Sequence, residues 1–185
     1  ETWYDQSGNS NNAVQATASL QPKIVNAGAL IVDNGKPAMQ LSNLNGFAIS
    51  DVGAGSSKFA FITHSVDSSD TAWSLLAKTG IADVIPLGQS SSSSAGVFGY
   101  TMNNLYRNGS SVNPTTRNDI YSAYTSAGQS LTTIDFSGTA AVGTLFNRSS
   151  FVMEGKAQEV ILYATDQSAN RTAVETNINS HYSIF

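Results

Sequence analysis

The chain has 185 residues, of which 41% are hydrophobic and only 12% are charged, and its formal net charge is −4. This length suffices for one domain with a buried core, and the balance of apolar and charged residues argues against intrinsic disorder. The absence of cysteine excludes disulfides, a thiol nucleophile and thiolate metal sites.

The nine Lys and Arg residues are scattered singly along an acidic chain. Nucleic acid and anionic membrane surfaces attract clusters of such residues, so neither is an expected partner. No apolar run approaches the ~20 residues of a membrane span. We therefore expect a single domain over residues 1–185 that binds no nucleic acid and does not insert into a membrane.

The N-terminal segment from Asp5 to Asn12 is rich in Asn, Ser and Gly. Its side-chain oxygens are of the kind that Ca²⁺ prefers, but it lacks the alternating carboxylates of an EF-hand loop. We favour a turn held by side-chain-to-backbone hydrogen bonds, with Ca²⁺ as the alternative and no other cofactor or metal expected. The opening residues, Glu1 to Tyr4, do not resemble a native start, so we expect a piece of a longer protein.

Short β-type runs separated by turn residues fill most of the chain, as in an antiparallel sandwich. The run Lys58–Val66 is apolar on both faces at its start, which predicts an inner strand of two stacked sheets. The serine run from Ser90 to Ser94 predicts an exposed loop. The predicted strands are Ala29–Asp33, Lys36–Leu41, Phe47–Ser50, Lys58–Val66, Trp73–Lys78, Val97–Thr101, Ile120–Thr125, Leu131–Phe136 and Ala157–Ala164.

Two Asn-Gly steps, at Asn34 and at Asn108, predict tight hairpins because both central residues of a type I′ turn need positive φ. One helix is predicted, at the C-terminus, with Ser168 as its N-cap. Its apolar residues recur every fourth position and predict a stripe that faces a sheet, formed by Val174, Ile178 and Tyr182.

Glycoside hydrolysis requires two carboxylates that face one cleft. The best candidates, Glu154 and Glu159, are five residues apart, so on one strand they point to opposite faces unless a bulge intervenes. A Ser-His-Asp arrangement of His64, Asp67 and a serine is only formal, because no Gly-x-Ser-x-Gly motif selects the serine. We therefore predict no catalytic residue, and a glycoside hydrolase stays an open alternative.

Sugar binding uses aromatic rings that stack on the apolar faces of sugars, beside Asn, Asp and Gln side chains that bind the hydroxyls. For each aromatic residue the alternative is packing in the core or across strands. Because Tyr121 and Tyr124 are three residues apart, they cannot both face one side of a regular strand. The predicted ligand-binding residues are Trp73, Tyr100, Tyr106, Tyr121 and Tyr124.

Two segments carry a resemblance to a known family. The first is Trp3-Tyr4-Asp5-Gln6-Ser7-Gly8-Asn9 through Gln21-Pro22-Lys23-Ile24-Val25, followed by Asn34-Gly35-Lys36-Pro37-Ala38. The second is Gly155-Lys156-Ala157-Gln158-Glu159-Val160-Ile161-Leu162-Tyr163, with Ile178-Asn179-Ser180-His181-Tyr182 after it. They resemble the opening and closing signatures of LamG-like, concanavalin A-like domains of bacteriophage tail, spike and other virion proteins and of bacterial secreted proteins. The first segment is also similar to the catalytic domain of family 54 α-L-arabinofuranosidases, whose catalytic carboxylates match no position here.

The resemblance implies an all-β fold, a two-sheet antiparallel jelly-roll sandwich with one short C-terminal helix. It also implies a non-catalytic carbohydrate-binding or adhesion module on a virion that recognises host-surface glycan. Its expected partners are a glycan or host polysaccharide and other virion proteins, at the virion surface or outside the cell, and self-association is left open. The alternatives are a structural capsid or tail decoration domain without a ligand and a glycoside hydrolase acting on surface polysaccharide.

Overall fold

The structure is a computed structural model that describes residues 1–42, 46–52, 57–78, 84–94, 101–125, 127–138, 141–148 and 151–185. In this part of the chain there are two α-helices, α1 (Arg117–Tyr124) and α2 (Arg171–Tyr182), and one 3₁₀ turn (Ala18–Leu20). The strands are β1 (Thr2–Trp3), β2 (Ala13–Val14), β3 (Val25–Asn26), β4 (Ala29–Leu30), β5 (Val32–Asp33), β6 (Lys36–Pro37), β7 (Met39–Leu41), β8 (Phe47–Val52), β9 (Ser57–Val66), β10 (Ala72–Ala77), β11 (Val84–Gln89), β12 (Thr101–Arg107), β13 (Ser110–Val112), β14 (Ser130–Ser137), β15 (Val142–Leu145), β16 (Asn147–Arg148), β17 (Phe151–Val152) and β18 (Gly155–Tyr163).

Two six-stranded antiparallel sheets make up the body of the molecule. The first sheet has the order β1-β2-β8-β15-β10-β11, and the second has the order β13-β12-β14-β9-β18-β7. Three separate hairpins, β3–β4, β5–β6 and β16–β17, complete the architecture of the described residues. The predicted all-β, two-sheet sandwich with a C-terminal helix is confirmed. No helix in the described ranges is both long and apolar enough to span a membrane.

Strand β9 lies in the middle of the second sheet and is buried on both faces, as its sequence predicted. Ala60 and Ile62 belong to the main core between the two sheets. Phe59 and Phe61 lie on the opposite face, where they pack with Ile178 of α2. We call that face, which is turned away from the first sheet, the outer face of the second sheet. Each large apolar side chain buried in this way, such as Ile62 or Phe61, contributes about 1.5–3 kcal/mol relative to exposure.

Helix α1 corrects a prediction, because Ile120–Thr125 was expected to be a strand. A capping box begins the helix: the Thr116 hydroxyl accepts a hydrogen bond from the Asp119 N–H, and the Asp119 carboxylate accepts one from the Thr116 N–H at 2.8 Å. Ile120 and Tyr124 lie one helical turn apart and are both buried. The capping hydrogen bonds and this spacing outweigh the β propensity of Ile and Tyr.

The C-terminal helix α2 is confirmed, but it begins later than predicted. Its N-cap is Asn170, and Ser168 lies in the preceding turn, where its N–H donates to the Asp166 carboxylate at 2.8 Å. Ile178 is buried against the outer face of the second sheet, with Tyr182 partly buried beside it. Val174 packs in the same cluster, so the predicted apolar stripe is confirmed.

Both predicted Asn-Gly turns are present. Asn34 and Gly35 have φ of 45° and 74°, and Asn108 and Gly109 have φ of 52° and 75°. The first turn joins β5 to β6 and the second joins β12 to β13. In the serine run, Ser91, Ser93 and Ser94 are exposed and the other two are partly exposed, as predicted.

The other predicted strands match with shifted ends. The runs Ala29–Asp33 and Lys36–Leu41 are each divided into two short strands, because the chain changes partners between them. The prediction Val97–Thr101 lies outside the described residues except for Thr101, which begins β12. Strands β11 and β15 were not predicted, and neither were the two-residue strands β1, β2, β3, β16 and β17. Strand β11 contains Pro86 and is an edge strand, where a missing backbone N–H is tolerated.

The Asp5–Asn12 segment is the predicted self-bonded turn. The Asp5 carboxylate accepts hydrogen bonds from the N–H groups of Ser7 and Asn11, at 2.8 and 2.9 Å, and the Asn12 side chain accepts one from the Asp5 N–H. These donors, led by Ser7, hold the pKa of Asp5 below its ordinary value. Binding of Ca²⁺ in this segment stays the alternative to this interpretation.

Candidate functional site

Two of the five aromatic residues predicted to bind a ligand lie in the core. Trp73 and Tyr124 are 0% and 1% exposed, and their rings meet edge to face with centroids 5.7 Å apart. Gly88 faces Trp73 across the β10–β11 pair, and a Cβ at Gly88 would lie 2.6 Å from the indole. Neither ring has a face open to a sugar, so the packing alternative holds for both residues.

The other three aromatic residues predicted to bind a ligand lie in different parts of the chain. Tyr100 lies outside the described residues. Tyr121 of α1 is partly exposed and packs against the main core. Tyr106 is partly exposed on the outer face of the second sheet, and the Arg171 guanidinium lies 4.0 Å from its ring centroid. The four predicted residues that the structure describes therefore do not form one aromatic platform.

Arg171 links Tyr106 to a buried carboxylate beneath α2. Its guanidinium donates to Glu175 at 2.6 Å, and the other oxygen of Glu175 accepts from the Thr133 hydroxyl at 2.8 Å. Glu175 is only 3% exposed, so this pairing replaces the water that the carboxylate loses. The network fixes the N-terminal part of α2 on the sheet.

A pocket of about 460 Å³ opens at the other end of α2, where the helix meets β18. A single buried aliphatic side chain, Ile178, contributes to its wall, and the other lining residues are polar or amphipathic. The pocket is lined by Glu159, Asn177, Ile178, Ser180, His181 and Tyr182.

A β-bulge in β18 places Glu159 in this pocket. Ala157 pairs with His64 on the core face of the sheet, and in a regular strand Glu159 would share that face. The pairing shifts by one residue at Gln158, so that Glu159 pairs with Thr63. Thr63 lies on the same face as Phe61 because the two are two residues apart. The extra residue therefore moves the carboxylate from the core to the outer face.

The pocket raises the proton affinity of its acidic groups. Burial raises the pKa of Glu159, while the nearby His181 and a hydrogen bond with Tyr182 oppose that rise. Burial, reinforced by the Glu159 charge, raises the pKa of Tyr182 to about 12. The His181 and Tyr182 rings meet edge to face with centroids 4.6 Å apart. The result is a half-buried carboxyl group beside a phenol and an imidazole.

The β5–β6 hairpin holds the C-terminal end of α2 in place. Asn34, at the turn of that hairpin, donates from its side-chain amide to the carbonyl oxygens of Tyr182 and Ser183, at 2.8 and 3.1 Å. Gln158 donates to three carbonyl oxygens of the same hairpin, one of them that of Asp33 at 3.1 Å. The residue that makes the bulge thus also ties this hairpin to the sheet.

The structure separates the two carboxylates considered for hydrolysis. Glu154 precedes β18, and its N–H donates to the Asp70 carboxylate at 2.9 Å. The strand between Glu154 and Glu159 spans about 16 Å at ~3.3 Å per residue, well beyond the ~5–9.5 Å of glycosidase carboxylate pairs. Among the described residues, no three His, Cys, Asp or Glu side chains come together as a metal site.

His64 is a packed residue of the core. It is fully buried, its Nε2 lies 2.8 Å from the Thr132 hydroxyl, and its ring lies between Trp73 and Tyr124. Burial, with a smaller effect of the Arg107 charge, lowers the pKa of His64 to about 3. Asp67 is exposed at the end of β9, so it does not complete a Ser-His-Asp arrangement with the buried ring.

Of the pocket residues, only Glu159 was considered for a functional role from the sequence. The helical period assigned Ile178 and Tyr182 to packing, and the polar positions between them carried no motif. A bulge leaves no reliable mark in the sequence, so the meeting of Glu159 with the end of α2 could not be predicted.

These features define an all-β, two-sheet sandwich domain with a polar pocket beside its C-terminal helix. Comparisons with protein-family models, with curated protein sequences and with solved structures give no significant match.

Proposed function

We propose that the domain is a non-catalytic carbohydrate-binding or adhesion module of a virion, and that it binds host-surface glycan in the pocket beside α2. The observation that carries the proposal is the meeting of five hydrogen-bonding side chains in one concave site of about 460 Å³. This volume lies within the range of about 300–1,000 Å³ typical of small-ligand sites.

The chemistry of the pocket suits a neutral sugar. The Glu159 carboxylate can accept hydrogen bonds from two neighbouring hydroxyls, and the Asn177 amide can both donate and accept. The partly buried Tyr182 ring offers an apolar surface to the C–H face of a pyranose. Glu159 and Tyr182 are half-buried and already held by β18 and α2, so their side chains lose little conformational freedom on binding.

The placement on a virion draws on the resemblance of both end segments to LamG-like domains of phage tail and spike proteins. The low charge of the chain adds support, since a surface made polar by Ser, Thr and Asn binds hydroxyl-rich ligands without long-range charge.

The test is binding to an array of glycans, lipopolysaccharides and capsule preparations, with Glu159→Gln as the diagnostic variant. Loss of charge-assisted hydrogen bonds should weaken binding by about tenfold or more. Glu154→Gln is the matched control, because Glu154 lies about 16 Å away along the strand, and it should bind like the wild type. The proposal fails if no preparation binds above background or if Glu159→Gln binds unchanged.

The same samples address the enzymatic alternative. Wild-type protein incubated with each bound polysaccharide should release no reducing ends, because the pocket lacks a second carboxylate among the described residues. Release of reducing ends that stops in Glu159→Gln would instead identify a glycoside hydrolase.

A further inference from the structure

A hairpin rich in aliphatic residues projects from the domain. We call residues 24–32, which contain β3 and β4, the apolar hairpin. Every residue from 23 to 30 is exposed. Of the large hydrophobic residues found exposed in the described part of the chain, four belong to this segment, and Leu30 is 54% exposed. Its tip is a two-residue turn in which Ala27 and Gly28 have φ of 49° and 81°.

The apolar hairpin is apolar on both faces. Val25 pairs with Leu30, so the two side chains share one face, and Val32 follows Leu30 on that face. Ile24 lies on the opposite face and is 49% exposed. A hairpin that faces water on one side normally alternates apolar and polar residues, and a lone two-stranded hairpin is marginally stable in water. Exposed apolar side chains on both faces indicate that the hairpin is buried on both faces in a binding partner or another apolar environment.

Three of the chain's five lysines lie at the base of this hairpin. Lys23 forms a β-bridge with Gln40, and Gln40 pairs with Lys156 across β7 and β18, so the two lysines flank one residue. The Lys156 ammonium donates to the Val32 carbonyl oxygen at 2.8 Å.

Lys36, the third lysine, pairs with Asp33 in the adjoining β5–β6 hairpin. We call Lys23, Lys36 and Lys156 the lysine collar. With Asp33 the collar carries a charge of +2, from three lysines and one aspartate, on a chain whose net charge is −4. The fold thus gathers lysines that are scattered singly along the sequence.

Against the expectation from the sequence that the chain meets no membrane, we infer that the apolar hairpin inserts into the interface of an anionic lipid bilayer, with the lysine collar on the lipid phosphates. The hairpin extends about four residues beyond Lys23, or ~13 Å at ~3.3 Å per residue, which spans the ~5–10 Å depth of interfacial insertion. Lysine stems bury along apolar surface while their ammonium groups stay at headgroup level. Anionic lipid strengthens such binding with each lysine near the surface.

Charge complementarity favours the bilayer over a second copy of the chain. Two apolar hairpins packed on each other would bring two positively charged collars together, which costs free energy. A bilayer interface covers both faces of the tip and supplies the opposite charge. The acidic remainder of the chain is repelled by the same lipid, which orients the hairpin toward the membrane.

The test is flotation of the whole chain with lipid vesicles. One set contains phosphatidylcholine with about one quarter phosphatidylglycerol, and the other contains phosphatidylcholine alone. We expect about tenfold stronger binding to the anionic vesicles and loss of that preference at about 0.5 M salt, where charges are screened within a few Å. Leu30→Ser and, separately, Val25→Ser should each weaken binding by about tenfold.

Val14→Ser removes an aliphatic residue of β2 that is 40% exposed and lies outside the hairpin, so it should float like the wild type. Lys23→Gln should reduce the preference for anionic vesicles. Glu159→Gln should float unchanged, which separates this inference from the glycan proposal.

Three results would overturn the inference. The first is that the protein floats with neither vesicle set, and the second is that it floats equally with both sets. The third is that Leu30→Ser and Val25→Ser both float as well as the wild type. Sedimentation velocity adds a fourth: self-association that Leu30→Ser abolishes, without vesicle binding, would assign the hairpin to a second copy. Unchanged thermal unfolding of Leu30→Ser and Val25→Ser confirms that the comparison is between folded proteins.

Discussion

Replacing His64 with glutamine should remove an acid sensitivity from the fold. The imidazole is fully buried between Trp73 and Tyr124, and its pKa falls from 6.5 to about 3, chiefly through burial. Glutamine can keep a hydrogen bond to the Thr132 hydroxyl, which lies 2.8 Å from the His64 Nε2, but it does not titrate. The substitution therefore removes the proton-binding site while it keeps a polar partner for Thr132.

The direction of the pH effect on stability follows from which state, folded or unfolded, binds the proton more tightly. Below pH 6.5 the unfolded chain protonates His64, whereas the folded chain resists protonation until the pH is near 3. The stability associated with neutral His64 is complete above pH 6.5 and is lost as the pH falls toward 3. Linkage between these two pKa values gives a loss of about 2 kcal/mol at pH 5 and about 3 kcal/mol at pH 4.

The measurement is urea unfolding of wild type and His64→Gln at pH 7 and pH 5. Between these two values the wild type should lose about 2 kcal/mol more unfolding free energy than the variant. His181→Gln is the matched control, because His181 is exposed, and it should keep the wild-type difference between the two pH values. Parallel losses in wild type and His64→Gln would refute the reasoning.

Two further predictions concern packing and the buried carboxylate. Gly88→Ala should destabilise the fold by about 1–3 kcal/mol, because the new Cβ would lie 2.6 Å from the Trp73 indole. An unchanged midpoint in urea unfolding would contradict this prediction. Arg171→Met keeps the packing of the stem but leaves Glu175 buried without its cation, so it should cost about 3 kcal/mol in thermal or urea unfolding. The double variant Arg171→Met with Glu175→Gln should recover most of that loss, and failure to recover would show that the ion pair is not its source.

Sequence patterns predicted the elements whose backbone geometry depends on residues close together in the chain. The alternation in Lys58–Val66, the turn at Asn108 and the apolar stripe around Ile178 each fix a backbone geometry within a few residues. The same reasoning missed α1, since the capping box at Thr116 stands before Ile and Tyr residues that also favour strands. There the hydrogen bonds of the cap decided between two conformations that the side chains allow.

The candidate site depends on pairings between distant parts of the chain. Glu159 reaches the pocket through a one-residue shift against β9, and alternation alone places it on the core face. The lysine collar exists because Gln40 pairs with residues on both sides of it. Aromatic residues were ambiguous for another reason: a ring suited to stack on a sugar is equally suited to fill a core, as Trp73 does.

The position of β9 also constrains how the protein can be synthesised. Its two neighbours in the sheet, β14 and β18, and the helix that covers Phe59 and Phe61 all follow it in the chain. A nascent chain on the ribosome therefore carries Phe59 and Phe61 unprotected on one strand until α2 has emerged. Such intermediates bind chaperones or aggregate, so the yield of folded protein in a cell should depend on how quickly translation delivers α2.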